Sequence, residues 1–127
     1  MKFLSLDYWK NVQEFANTDN EFGIKAKMFS ASFTFRVTDK PELPSIFAKF
    51  DQGKITEIYQ LKEGEKTDYL LEGLYDNWVK VNKGEVDAGN AIMTRQLQFK
   101  GNQSNIIRFS KSFLRLFQLM QKVPVDY

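Results

Sequence analysis

At 127 residues, 43% of them apolar, the chain is sized for one hydrophobic core spanning residues 1–127. It contains no Cys and no His, which excludes a disulfide framework, thiolate chemistry, an imidazole base and the commonest metal ligand, and fits a reducing compartment. The net charge of +2 is unevenly placed: residues 88–125 carry no acid and six cations, leaving −4 on the remainder, so one face is suited to an anionic partner.

The opening MKFLSLDYWK does not read as a secretory signal, because Asp7 and Lys10 interrupt the apolar run. No window approaches the length of a membrane span, and the expectation is a soluble, cytoplasmic protein. Ser5 is placed to cap a first helix whose Tyr8, Val12, Phe15 and Ala16 share one stripe. Thr18-Asp19-Asn20 interrupts that pattern, and Glu21–Met28 predicts a second helical piece. From Phe29 the period changes to two. Phe29, Ala31, Phe33, Phe35 and Val37 alternate with Ser30, Ser32, Thr34 and Arg36, the pattern of a half-buried strand. Ser45–Phe50 and Lys54–Leu61 flank Asp51-Gln52-Gly53 as a hairpin, and Asp68–Leu74 predicts a fourth strand. To this point the reading is a helical start followed by an antiparallel meander.

Asp76 is the expected cap of a helix carrying Trp78, Val79 and Val81, which stops at Gly84. Asp87 caps a short helix with Ala91 and Ile92. Leu97 and Phe99 alternate with Gln96, Gln98 and Lys100 in a fifth strand closed by Gly101-Asn102. The last helix is expected over roughly Ser104–Lys122, ahead of Pro124. On a helical projection Ile106, Phe109, Phe113, Leu116, Phe117 and Met120 share one side, Arg108, Lys111, Arg115 and Lys122 the other, and Ile107, Leu114 and Leu119 the flanks. There is no repeat, low-complexity tract or linker. The expected fold class is α+β.

The run from Gly84 to Asn102, GEVDAGNAIMTRQLQFKGN, resembles the C-terminal signature of the sterol carrier protein 2 family: Gly, two residues, an Asp-type cap, Ala with apolar residues, then an alternating strand ending in Gly. Asp68 before the fourth strand and Trp78 before Gly84 also fit. The hairpin around Asp51 and Gly53-Lys54-Ile55 is similar to the family's strand, Asp-x-Gly-Lys, strand element. The similarity covers roughly Phe29 to Met120. Three positions depart from it. Ala88 stands where Pro is common, Asn102 where Asp is common, and Arg95 where a Gly precedes the fifth strand.

The resemblance implies a five-stranded, mostly antiparallel sheet covered by helices, with an apolar tunnel between the layers that accepts fatty acyl chains, phospholipids or sterols. It brings no catalytic residue, metal or cofactor. Binding about twelve methylenes in such a tunnel gains on the order of 10 kcal/mol, which leaves micromolar affinity after ordering costs. The expected ligand-lining residues are Trp78, Met93, Leu97 and Phe99 around the signature, Phe109, Phe113, Phe117 and Met120 from the last helix, and Phe33 and Phe35 from the first strand. Arg95 is the candidate head-group cation, favouring an anionic acyl ligand over sterol. Arg108, Lys111 and Arg115 are the candidate contacts to an anionic membrane surface. Core packing and a solvated cationic face are the plainer alternatives for these same residues.

Two other functions are weighed. A cone-shaped α+β enzyme needs a buried carboxylate, and Asp68, Asp76 and Asp87 are its only candidates, each better explained as a cap or turn residue. An interaction or dimerisation module is the second, with the apolar flank of the last helix as its surface. Nucleic acid is not an expected partner, because the six cations are not interleaved with exposed aromatics. The expected state is a monomer or weak dimer.

Overall fold

The computed structural model describes all 127 residues. Helix α1 spans Leu6–Thr18 and is capped as expected, the Ser5 hydroxyl accepting from the Tyr8 N–H at 3.2 Å. Asp19 then caps α2, Asn20–Lys25. The strands are β1 (Ser30–Val37), β2 (Ile46–Asp51), β3 (Lys54–Gln60), β4 (Tyr69–Gly73) and β5 (Leu97–Lys100). Between β4 and β5 lie α3 (Tyr75–Asn82) and α4 (Ala88–Met93), and after β5 come α5 (Gln103–Arg108) and α6 (Ser110–Met120).

The sheet order is β3-β2-β1-β4-β5. β1–β2 and β2–β3 are antiparallel, as expected, and β5 pairs antiparallel with β4. The simple meander is corrected: β4 crosses to the free edge of β1 and pairs with it in parallel, Phe33 opposite Tyr69 and Phe35 opposite Leu71. A parallel return puts β1 at the centre of the sheet and its Phe residues at the centre of the core.

Strand alternation sorts the two faces. Ala31, Phe33, Phe35, Ile46, Ala48, Phe50, Tyr69, Leu71 and Leu97 belong to one 31-residue buried cluster with Tyr8, Trp9 and Val12 of α1 and Phe113, Leu116 and Phe117 of α6. On the opposite face Arg36, Glu72 and Lys100 form an ion-paired row, Glu72 lying 3.5 Å from Arg36 and 3.3 Å from Lys100. Two buried contacts interrupt that polar face: Phe47 stacked on Tyr59 at 4.4 Å, and the Thr34 and Thr67 hydroxyls 2.7 Å apart.

Two helix expectations are corrected. Asp76 does not cap α3: Leu74 holds the cap position, and the Tyr75 N–H donates instead to the Asp39 carboxylate at 2.8 Å, a residue from the β1–β2 loop. The last helix is broken at Phe109, which leaves helical geometry with φ −105° and ψ 18°. Its ring lies 4.8 Å from that of Phe29, so an aromatic contact rather than Pro or Gly marks the break. The chain ends meet: Asp126 accepts from Phe3 N–H and donates to the Met1 carbonyl, and its carboxylate holds the N-terminal ammonium at 3.0 Å. This latch buries Phe3 and Leu4 completely or nearly so. No helix is long and apolar enough to cross a membrane.

Candidate functional site

Between the covered face of the sheet and α6 lies a seam lined by eight side chains, all hydrophobic: Phe33, Phe35, Phe50, Leu71, Phe99, Phe113, Leu116 and Phe117. Phe33 is its hub. Its ring lies within 5.0–5.7 Å of those of Tyr69, Phe50, Phe35, Phe113 and Phe99. The enclosed space is only about 10 Å³, no more than one water could occupy. The seam is apolar throughout, and its walls are in contact with one another.

Beside this seam, on the outside of β5, is a groove of about 420 Å³ lined by Ile92, Arg95, Gln98, Phe99, Lys100, Gln103 and Ile106. That volume is in the range of small-ligand sites. Its lining holds no acid and two cations, Arg95 and the Lys100 already paired with Glu72. Phe99 belongs to both spaces, half-buried between the groove and the seam. A larger depression of about 780 Å³ on the opposite side is lined mostly by polar loop residues and does not suit an apolar ligand.

Of the residues singled out from the sequence, Phe33, Phe35, Phe99, Phe113 and Phe117 come together in the seam. Others lie around it. Trp78 is buried against Trp9, ring centroids 6.3 Å apart, and its indole N–H donates to the Arg36 carbonyl at 3.2 Å. Leu97 is fully buried below Gly73, where a Cβ would come within 2.7 Å of it. Met120 is buried and its carbonyl accepts from the Tyr8 hydroxyl at 3.2 Å. Phe109 is half-buried at the α5–α6 joint. Met93 is not brought to the site: its side chain is 81% exposed, because the short α4 buries only Ala88 and Ala91.

The cations divide in the same way. Arg95 is exposed and lines the groove. Arg108 and Lys111 are exposed on α5 and α6. Arg115 leaves the free cationic set, because its Nε and Nη2 donate to the Asp19 carboxylate, at 2.9 and 2.7 Å. That pair is largely buried, with 16% and 15% of the side chains exposed.

Phe50, Leu71, Leu116 and Trp9 were missed as candidates. Phe50 continues the inward alternation of Ile46 and Ala48, so the period of two was a usable signal. Trp9 stacks on Phe35 at 4.4 Å across elements distant in sequence, and nothing local marks that contact. The carboxylates considered for catalysis are all exposed: Asp68 accepts from the Ser32 N–H and hydroxyl, Asp87 caps α4, and Asp76 lies in the first turn of α3. No carboxylate lines the seam.

Arg95 has φ +61°, the left-handed region in which a side chain is strained. The Gly that the family resemblance implies at this position would adopt this backbone without strain, whereas the arginine is held there against it. Arg95→Gly is expected to raise stability by about 1 kcal/mol, visible in thermal unfolding as a gain of about 4 °C. An unchanged or lower melting temperature would show that the side chain contributes more than its strain removes.

A sheet covered on one side by helices, with the order β3-β2-β1-β4-β5 and an aromatic seam under the last helix, defines a sterol-carrier-type α+β fold. The model of the SCP-2 sterol transfer family matches residues 12–113, and the chain belongs to that family. A crystal structure of sterol carrier protein 2 superposes with a TM-score of 0.85 at 14% identity, covering 97% of this chain and 100% of that one. The solution structure of a conserved hypothetical protein from Thermus thermophilus gives 0.85 at 14% identity, covering 99% and 92%. A sec-alkyl sulfatase variant contains a similar fold, with a TM-score of 0.52 at 16% identity over 80% of this chain and 14% of that one. No curated protein matches the chain in sequence.

Proposed function

We propose that the chain binds and transfers a lipid without transforming it, the apolar part of the ligand entering the seam between the sheet and α6. The observation that carries this reading is the double position of Phe99, which separates an all-hydrophobic interior from a cationic surface groove. Displacement of its ring joins the two spaces. The element best suited to yield is α5, six residues long with none buried. An acyl chain would then part the contact between Phe33 and Phe113, while a carboxylate or phosphate head stays in the groove beside Arg95. Family membership supports the lipid class; the unpaired Arg95 favours an anionic amphiphile over a sterol.

The energetics agree in direction. Burying the chain contributes about 0.8 kcal/mol per methylene. Parting packed rings and ordering the ligand cost several kcal/mol of that, so micromolar affinity is the expected scale. Trp9, stacked on the seam residue Phe35, supplies the readout. Titration of the full chain with a conjugated polyene fatty acid should quench tryptophan emission by energy transfer, saturably and with micromolar affinity. Arg95→Gln should weaken the free acid several-fold and leave its methyl ester unaffected. If neither acid, ester nor a fluorescent sterol binds at tens of micromolar, the carrier reading fails.

A further inference from the structure

Three of the strongly exposed aliphatic side chains lie at one end of the molecule. Ile24 and Met28, at and just after α2, are 67% and 74% exposed, and Ile107 on α5 is 76% exposed. Two contacts bring these segments together: the Phe29 ring lies 4.8 Å from Phe109, and the Ser112 hydroxyl donates to the Lys25 carbonyl at 2.8 Å. Met28 directly precedes Phe29 and Ile107 stands two residues before Phe109, so both ride on the joined segments.

Cations are interleaved with these apolar groups. Lys27, Arg108 and Lys111 are exposed and none forms an ion pair. The carboxylates at this end are already engaged. Asp19 is held by Arg115 and Glu21 by Lys25 and Arg115, while Asp51 accepts from Ser30 on the far face of the sheet. The surface therefore presents protruding aliphatics among uncompensated positive charges.

We propose that this end is a docking surface for an anionic lipid bilayer, with Ile24, Met28 and Ile107 entering the head-group region and Lys27, Arg108 and Lys111 meeting lipid phosphates. Charge complementarity selects the bilayer as occupant. A protein interface is centred on a contiguous, often aromatic patch, whereas here separate aliphatic side chains are surrounded by cations. The surface also adjoins the α5–α6 joint, placing the end of the fold nearest Phe109 and Phe113 against the membrane. The inference does not depend on the seam accepting a lipid.

The test is co-sedimentation of the full chain with phosphatidylcholine vesicles and with vesicles also containing phosphatidylglycerol, at low and at physiological salt. Binding is expected only with phosphatidylglycerol and should weaken with salt. The combined Lys27→Gln, Arg108→Gln and Lys111→Gln variant should lose about tenfold in vesicle affinity. Met28→Ser with Ile107→Ser should also lose vesicle binding while retaining every charge. Circular dichroism and thermal unfolding should match the parent protein in both variants, since all the side chains are exposed. Equal binding to both vesicle types, or unchanged binding by either variant, overturns the proposal. So does an absence of vesicle binding accompanied by a parent dimer that the Met28→Ser, Ile107→Ser variant converts to monomer, which would make this a self-association surface.

Discussion

Phe33→Ala should be among the most damaging single substitutions, lowering stability by about 3–5 kcal/mol and the melting temperature by on the order of 15 °C. The ring is 1% exposed and stands at the centre of the sheet's covered face. It contacts rings contributed by β1, β2, β4, β5 and α6, so truncation removes transfer free energy and edge-to-face contacts together. Rigid strands on either side prevent the void from closing. A native domain is typically stable by only about 5–15 kcal/mol, and the variant should therefore unfold at markedly lower urea. A loss below about 1 kcal/mol would mean that the seam is loosely packed, contrary to its near-zero cavity volume.

Asp19→Ala is the second. Asp19 accepts from the Phe22 N–H at 2.7 Å as the α2 cap, and accepts from Nε and Nη2 of Arg115, 96 positions away. Removing it loses the cap and leaves a largely buried guanidinium without its main partner. The expected loss is about 3–5 kcal/mol. The pair also sets an acid limit. Hydrogen bonding from Arg115 holds the Asp19 carboxyl at about 2, against an ordinary value of 3.8; the Phe22 N–H and the charges of Arg115 and Lys122 add to this, while partial burial opposes it. Since the folded value lies below the unfolded one, the native state binds fewer protons, and the contribution is complete above about pH 4. It is lost as pH falls from there through about 2. Asp19→Asn should retain the cap, lose part of the stability and flatten the stability profile across that window. A profile as steep as that of the parent protein would remove Asp19 as its cause.

Features governed by neighbours in sequence were readable in it. Ser5 and Asp87 cap the helices assigned to them, Asp51-Gln52-Gly53 turns the predicted hairpin, and the alternation from Ala31 to Phe35 marks the strand that becomes the sheet centre. Features decided by distant partners were not. α3 takes its first-turn acceptor from Asp39 rather than Asp76, β4 returns to the far edge of β1, and Arg115 turns from the cationic face toward Asp19. The break at Phe109 belongs to the same group, because the helical pattern continues through it while the ring is drawn to Phe29.

The candidate site divides along the same line. Strand and helix periodicity put Phe33, Phe35, Phe99, Phe113 and Phe117 on apolar faces, the family resemblance made them candidate ligand contacts, and the structure brings them into one seam. The tunnel implied by family resemblance is not open between them, because their rings pack against one another and fill that space. Arg95 stood out as a departure from the family pattern. Its left-handed backbone and its place in the groove beside Phe99 are the observations on which the proposed head-group contact rests.

The most direct measurement is the set of intermolecular nuclear Overhauser effects between a bound acyl chain and the aromatic ring protons of the full chain. Contacts from the chain methylenes to Phe33, Phe99, Phe113 and Phe117, with the carboxyl end near Arg95, are the expected result. Methylene contacts confined to exposed side chains, with the seam rings unperturbed at saturating ligand, would contradict lipid binding in the interior.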